Sequence, residues 1–321
     1  MILFAGDPHG SYEHLYPFVK EQKNVALVIL GDLQLTNPHE LDELAKYCDI
    51  WFIHGNHDSK TVAAFDAIWG SEWKDRNIHG KVVDIQGVRI AGLGGVFRGH
   101  IWMPPNRPMF FDPIHYCQYT PQEKIWRGGL PLRHRTSIFP SDMEALESQK
   151  ADILIGTQMI AKGLDFPNVT LVGVVNADTA LNIPDFRAAE KTFQLLTQVA
   201  GRAGRGDKAG EVFIQTYNPD HYAIQLAQNH YYEAFFAQEM KMRHLAHYPP
   251  YYFTVMITVS SEQEYAAQKQ AYEIKKVLEG KLSSQSVLLG PSAKSIARMN
   301  NRYYYQLIIK YKKDVLKVMI K

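Results

Sequence analysis

The chain has 321 residues, 46% hydrophobic and 21% charged, a composition that excludes a disordered chain and predicts about two globular domains. No apolar run approaches the roughly 18 residues a membrane-spanning helix needs, so no membrane partner is expected. The net charge of +2 hides an asymmetry: residues 1–150 carry 15 Lys/Arg against 18 Asp/Glu, and residues 151–321 carry 20 against 15.

Two cysteines far apart, Cys48 and Cys117, rule out a disulfide framework and a cysteine zinc cluster. They fit a reducing, cytoplasmic setting. The start, from Met1 to Asp7, has neither the basic segment nor the cleavage site of a secretory signal.

In chain order, three apolar runs each end in a glycine turn. Met1–Ala5 leads to Gly6-Asp7-Pro8-His9-Gly10, Val25–Leu30 to Gly31-Asp32, and Ile50–Ile53 to His54-Gly55-Asn56-His57-Asp58. Short apolar runs bounded by glycine predict buried strands, and the helical spacing of Pro38–Tyr47 between two of them predicts a parallel α/β sheet. Val88–Leu93 predicts another strand. Residues 97–141, rich in Pro, Arg and aromatics, predict a long irregular loop.

Beyond it, Met143–Gln149 predicts a short helix, and Asp152–Ile155, Val169–Val175 and Glu211–Gln215 predict strands. Asp185–Gly201 and residues 219–246 predict helices, the second broken by Pro249-Pro250. The tail predicts strand (Tyr252–Val259), helix (Glu262–Leu282), two strands (Ser286–Leu289 and Tyr303–Tyr311) and a helix start at Asp314–Met319, a small α+β domain.

Strand C-terminal ends in a parallel sheet share one edge, where sites form. The turns put Asp7, His9, Asp32, Asn56 and His57 there, a hard-to-borderline ligand set suited to a divalent ion such as Mn, Fe or Zn. The three turns resemble the D-x-H, GD and GNH-D/E pattern of the calcineurin-like metallophosphoesterases. The resemblance covers residues 1–154. It implies that Asp7 and His9 bind one metal, that Asp32 bridges two, and that Asn56 binds the second. It also implies that His57 assists the leaving group and is held by Asp58. The family pattern continues with a His after a further strand and a G-H-x-H. Here Asp152–Ile155 is followed by Gly156-Thr157-Gln158, and no G-H-x-H occurs. A one-metal site is therefore the expectation.

The second half carries Gly156-Thr157-Gln158-Met159-Ile160-Ala161-Lys162-Gly163-Leu164-Asp165 and Gln198-Val199-Ala200-Gly201-Arg202-Ala203-Gly204-Arg205. Arginines among glycines suit a phosphoryl group. The two segments resemble motifs V and VI of superfamily 2 helicases. With Tyr248-Pro249-Pro250 and Leu289-Gly290-Pro291, residues 151–321 resemble the primosomal protein N′ family of replication-restart DNA helicases. The resemblance implies Arg205 as an arginine finger, with Arg202 and Gln198 at a nucleotide interface. It sets Thr157, Gln158, Lys162, Gly163 and Asp165 near DNA or the coupling path. It further implies ATP, Mg, DNA and primosome proteins as partners. No G-x-x-x-x-G-K-[ST] phosphate loop occurs in the sequence, so little or no helicase activity is expected.

The two resemblances change over at Ala151-Asp152-Ile153-Leu154, without a linker. Whole domains usually join at exposed linkers, so this join predicts a hybrid of two sequences fused at a short similar segment. The expected fold is α/β. A truncated metallophosphoesterase sheet (1–154) joins a partial helicase second lobe (155–246) and a truncated α+β C-terminal domain (247–321).

Overall fold

The computed structural model describes residues 1–6, 8–98, 101–104, 106–119, 126–127, 130–131, 135–147, 150–157, 169–201, 203, 209–299 and 301–312. They fall into two compact units, one of residues 1–177 and 198–216, the other of residues 178–197 and 217–321.

The first unit opens with β1 (Ile2–Ala5), a 3-10 turn (Glu13–Leu15), α1 (Tyr16–Lys20) and β2 (Val25–Leu30). A 3-10 turn (Pro38–Leu41), α2 (Asp42–Ala45) and β3 (Cys48–Ile53) follow. The helical stretch expected over Pro38–Tyr47 thus forms as two short pieces. Asn37 and Glu40 close a reciprocal capping box at its start, which satisfies the first amides. α3 (Val62–Trp69) is capped by the Thr61 hydroxyl, which accepts the Ala64 N–H at 3.1 Å.

β1, β2 and β3 pair in that order, all parallel. β2 is buried on both faces, as a continuous apolar run in a covered parallel sheet should be. Side-chain alternation sends Val25, Leu27 and Ile29 into a core with α3 and the loops around Leu33 and Leu41. Ala26 and Val28 go to the opposite core, with Ile53, Ile85, Ile90 and Ile155.

That second core belongs to another three-stranded sheet. β4 (Lys81–Ile85) and β5 (Val88–Leu93) form a hairpin about Gln86-Gly87, both at positive φ. The stretch expected to be irregular contains α4 (Pro113–Tyr119) and a two-residue hairpin, β6 (Trp126–Arg127) and β7 (Leu130–Pro131). Its aromatics explain the helix: Tyr116 is buried against Phe139 and Ile101, a packing with no helical period in the sequence. α5 (Pro140–Glu147) precedes β8 (Ile153–Gly156), which pairs parallel to β5. The segment at the join therefore completes the sheet of the first half. β9 (Leu171–Val174) pairs only with β10 among the described residues.

In the second unit α6 (Asp178–Leu181) leads to α7 (Ala188–Ala200), whose last residues belong to the first unit. β10 (Glu211–Ile214), in the first unit, comes next. The helical stretch expected over 219–246 is two helices, α8 (Tyr222–Gln228) and α9 (Tyr232–Leu245), separated at His230, which sits at positive φ. β11 (Phe253–Ser261), α10 (Glu264–Glu279), β12 (Val287–Met299) and β13 (Arg302–Tyr311) form an antiparallel sheet in the order β11-β13-β12. α10 covers it through Ala271, Ile274 and Leu278. The helix start expected at Asp314–Met319 lies outside the described residues.

A charged network sits among α7, α8 and α9. Glu239, 5% exposed, accepts from Arg243 Nε at 2.7 Å and from the Tyr222 hydroxyl at 2.5 Å. Arg243 also donates to Glu190 at 2.6 Å. Arg243→Ala leaves a buried carboxylate without its cation, and the expected loss is about 3 kcal/mol in urea unfolding. A loss within about 0.5 kcal/mol, the range of ordinary surface changes, would show that the network is not stabilising.

Candidate functional site

The three glycine turns meet at the C-terminal ends of β1, β2 and β3. His9 N–H donates to Asp32 O at 3.1 Å and Gly10 N–H to Leu33 O at 2.9 Å, which ties the first turn to the second. His57 N–H donates to Asp32 Oδ1 at 2.9 Å, which ties the third to the second. His9, Asp32 and Gln34 all lie at positive φ (49°, 43° and 53°), a backbone cost tolerated at sites that the surrounding structure fixes.

Gly55 is the pivot. A Cβ there would lie 2.0 Å from Asp32 Oδ1 and 2.4 Å from Asp32 N, so only glycine lets the third turn approach the aspartate.

Asp58 is fully buried. Its carboxylate accepts Gln34 N–H at 2.7 Å and Gly55 N–H at 2.8 Å. Burial pushes its carboxyl up to about 6, against the lowering effect of those two amides. The expected support of the His57 ring by Asp58 is not what the structure holds. Asp58 instead clamps the turns together, because both its oxygens are spent on backbone amides.

The ring of His57 is held by other groups. Lys60 Nζ lies 2.6 Å from its Nδ1, Gln34 Nε2 lies 3.1 Å from the same atom, and Asp32 Oδ2 is 4.0 Å from its Nε2. Burial lowers the imidazole, assisted by Lys60 and His9 and opposed by Asp32. Gln34 Nε2 also lies 2.7 Å from His9 Nδ1, so one amide joins both imidazoles, whose centroids are 5.9 Å apart. Gln34 and Lys60 escape motif reading. The only signals are their places, two residues after Asp32 and three after His57.

Beside these groups Asn56, Ser59, Lys60, Val96 and Arg98 line a cleft of about 520 Å³. Arg98 is anchored by its Nε, which donates to the Ser137 hydroxyl at 2.9 Å.

Asp7 lies outside the described residues. Among the described residues no group of three or more His, Cys, Asp or Glu is placed to hold a metal ion. His9, Asp32 and Asn56 still bring an imidazole, a carboxylate and an amide to one edge, and that donor chemistry fits a divalent cation.

Of the helicase-type residues, Thr157 and Gln198 are among those described. Thr157 donates its hydroxyl proton to Gly95 O at 2.8 Å, beside β5. Gln198 is exposed near the end of α7. Gln158, Lys162, Gly163, Asp165, Arg202 and Arg205 lie outside the described residues.

The chain is a hybrid: residues 1–156 match the calcineurin-like phosphoesterase family, residues 127–207 the helicase conserved C-terminal domain and residues 244–320 the primosomal protein N C-terminal domain. Residues 127–156 are matched from both sides, and β8 lies at the end of that overlap.

An uncharacterized protein of Haemophilus influenzae is 83% identical over 155 residues, covering 48% of this chain and 69% of that protein. The replication restart protein PriA of Bacillus subtilis is 53% identical over 194 residues, covering 60% of this chain and 24% of that protein. PriA of Synechocystis is 44% identical over 169 residues, covering 53% and 20%. The chain thus spans about a quarter or less of the length of these two PriA relatives. No helix among the described residues is long and apolar enough to cross a membrane.

Proposed function

We propose that the catalytic capacity of this chain lies in its first half, as a weak metal-dependent phosphoesterase with one ion. In the same reading the second half retains DNA contact without driving a helicase. The observation that carries the proposal is the convergence of His9, Asp32 and His57 through hydrogen bonds between three separate turns. Asp7, His9 and Asp32 would hold one divalent ion (Mn, Fe or Zn), and Asn56 is the remaining donor for a second. A bound ion supplies Lewis-acid polarisation of the phosphoryl oxygen and lowers the pKa of water. Lys60 and Arg98, lining the cleft, would orient the phosphoester by charge. His57, kept mainly neutral by burial, would carry its proton on Nε2, since Lys60 donates to Nδ1. That N–H can stabilise a leaving oxygen by donating a hydrogen bond to it, without giving up its proton.

The test is manganese-dependent hydrolysis of a generic aryl phosphate. Asp32→Asn is expected to lower the rate by about 100-fold or more, the scale of losses when metal support is removed. Absence of metal-dependent turnover in the parent chain would reject the reading.

We retain 1–154, 155–246 and 247–321 as the functional segments, and a cytoplasmic site of action. ATP, Mg and primosome proteins enter through the helicase resemblance of Gln198, Arg202 and Arg205, and Thr157, Gln158, Lys162, Gly163 and Asp165 would face DNA or the coupling path. The excess of 20 Lys/Arg over 15 Asp/Glu in residues 151–321 favours the DNA reading. Binding of single-stranded DNA should weaken in proportion to log salt, with a slope near −0.7 per phosphate neutralised, about the general value. Salt-independent binding, or none, would remove DNA from the proposal.

A further inference from the structure

The cleft beside the phosphoester site is walled by two segments. Asn56, Ser59 and Lys60 come from the turn after β3, and Val96 and Arg98 from the segment after β5. Lys60 belongs to the reacting side, since its Nζ lies 2.6 Å from His57 Nδ1. Arg98 has a different setting. Its segment is zipped to the chain around Ser137: Val96 N–H donates to Thr136 O and Ile138 N–H to Val96 O, both at 3.0 Å. Its Nε donates to Ser137 Oγ at 2.9 Å and its Nη2 to Thr136 Oγ1 at 3.4 Å. Thr136 Oγ1 in turn lies 3.3 Å from Ser59 Oγ, so the guanidinium is tied to the turn that carries Lys60. Ser59, Thr136 and Ser137 are all buried, and a head group held by buried hydroxyls is set in place before a ligand arrives.

The lining carries charge of one sign. It supplies two cations, an amide, a hydroxyl and one apolar side chain, Val96, and no carboxylate is among the described lining residues. Such a wall is complementary to a ligand with more than one negative group. The volume of about 520 Å³ agrees. A phosphate displaces a few waters of about 30 Å³ each, so most of the cleft is left for the rest of the ester. A guanidinium carries several N–H donors in a planar fork, so anchoring by two hydroxyls is compatible with gripping an oxyanion in the cleft.

We propose that the cleft selects phosphate monoesters that carry a second oxyanion, with Arg98 as the specificity-determining residue that binds this second group. The inference rests on the phosphoester reading of the first half. Lys60 and His57 attend the scissile phosphate, and Arg98 grips a phosphate or carboxylate elsewhere on the same substrate. Hydrolysis breaks the ester P–O bond. Water gives its oxygen to phosphorus and a proton to the departing oxygen, so the released alcohol keeps the second oxyanion. An ester lacking that group forgoes the bond to Arg98, and a site built to bond a substrate group discriminates against the analogue without it.

The test is manganese-dependent hydrolysis of three matched esters by the full chain: ethyl phosphate, phosphoglycolate and ethylene glycol bisphosphate. The doubly charged esters are expected to exceed ethyl phosphate in kcat/KM by about tenfold, the scale of one charged hydrogen bond. That is beyond the statistical advantage of the bisphosphate's two equivalent groups. The gain should lie mainly in KM, because Arg98 holds a part of the substrate that does not react. Arg98→Gln should bring the ratio close to unity. The preference of the parent chain is read without any substitution. If Arg98→Gln fails to fold, Arg98→Lys, which keeps the charge and loses the fork, should narrow the ratio. A larger advantage for phosphoglycolate identifies a carboxylate as the second group, and a larger one for the bisphosphate identifies a phosphate. Turnover of the generic aryl phosphate alone, equal kcat/KM for the three esters, or a ratio that survives in the foldable Arg98 variant would overturn the inference and leave the phosphoester reading standing. No metal-dependent turnover of any of these esters would reject both.

Discussion

A chain carrying Gly55→Ala is expected to lose about 3 kcal/mol of stability in the first unit, and with it the manganese-dependent hydrolysis proposed above. The cause is geometric. The new methyl would fall 2.0 Å from Asp32 Oδ1 and 2.4 Å from Asp32 N. The second contact is backbone, so rotating the aspartate does not relieve it. Either the third turn withdraws, breaking the His57 N–H bond to Asp32, or β3 shifts against β2 in a sheet packed on both faces. Interiors at crystal-like density transmit such shifts at a cost of a few kcal/mol. Urea unfolding and aryl phosphate hydrolysis measure the two consequences separately. Full stability and full activity in Gly55→Ala would show that the turns are not held as described.

The second large effect is a pH dependence centred on Asp58. Burial pushes this carboxyl from its ordinary 3.8 to about 6. Between those values the folded chain holds a proton that the unfolded chain has released. Stability contributed by this group is therefore full below about pH 4, falls as pH rises, and is lost above about pH 6. Two decades of shift correspond to about 3 kcal/mol. Urea midpoints at about pH 4.5 and pH 7 should show the parent chain losing stability across this window. Asp58→Asn, which cannot titrate, should show a flatter profile there. An unchanged slope in Asp58→Asn would assign the dependence to other groups. The titration also bears on activity, since the protonated carboxyl can give up one of the two amides that hold the Gln34 and Gly55 turns.

Much of the first sheet was legible in the sequence because its strands are short, continuously apolar and punctuated by glycine. β2 and β3 fall within a residue or two of expectation, and β5 runs over Val88–Leu93 as read. α4 was not legible, since its burial depends on distant aromatics such as Phe139 and not on a periodic face of its own. β4 was missed for a related reason. Its residues alternate weakly, and only the Gln86-Gly87 turn and the pairing with β5 make it a strand.

The same division holds at the site. The sequence by itself pointed to His9, Asp32 and His57 as neighbours, because each follows a parallel strand and parallel strands end on one edge. It also determined the hybrid character, since the two sets of motifs meet at Ala151-Asp152-Ile153-Leu154 without a linker. The tertiary structure alone decided what the side chains do there. Asp58 clamps two backbone turns instead of the His57 ring, and Gln34 and Lys60 take over that ring. His54 Nε2 is buried without a hydrogen-bond partner among the described residues. The strand at the join becomes the partner of β5, although a helicase-type segment matches through it. Backbone pattern is a local property, set by one residue's neighbours in sequence. Hydrogen-bond partnership is set by whichever donor and acceptor reach the same point in space: Gln34 meets Asp58, His57 and His9 across more than twenty residues of chain, whereas Lys60 meets His57 from the same turn.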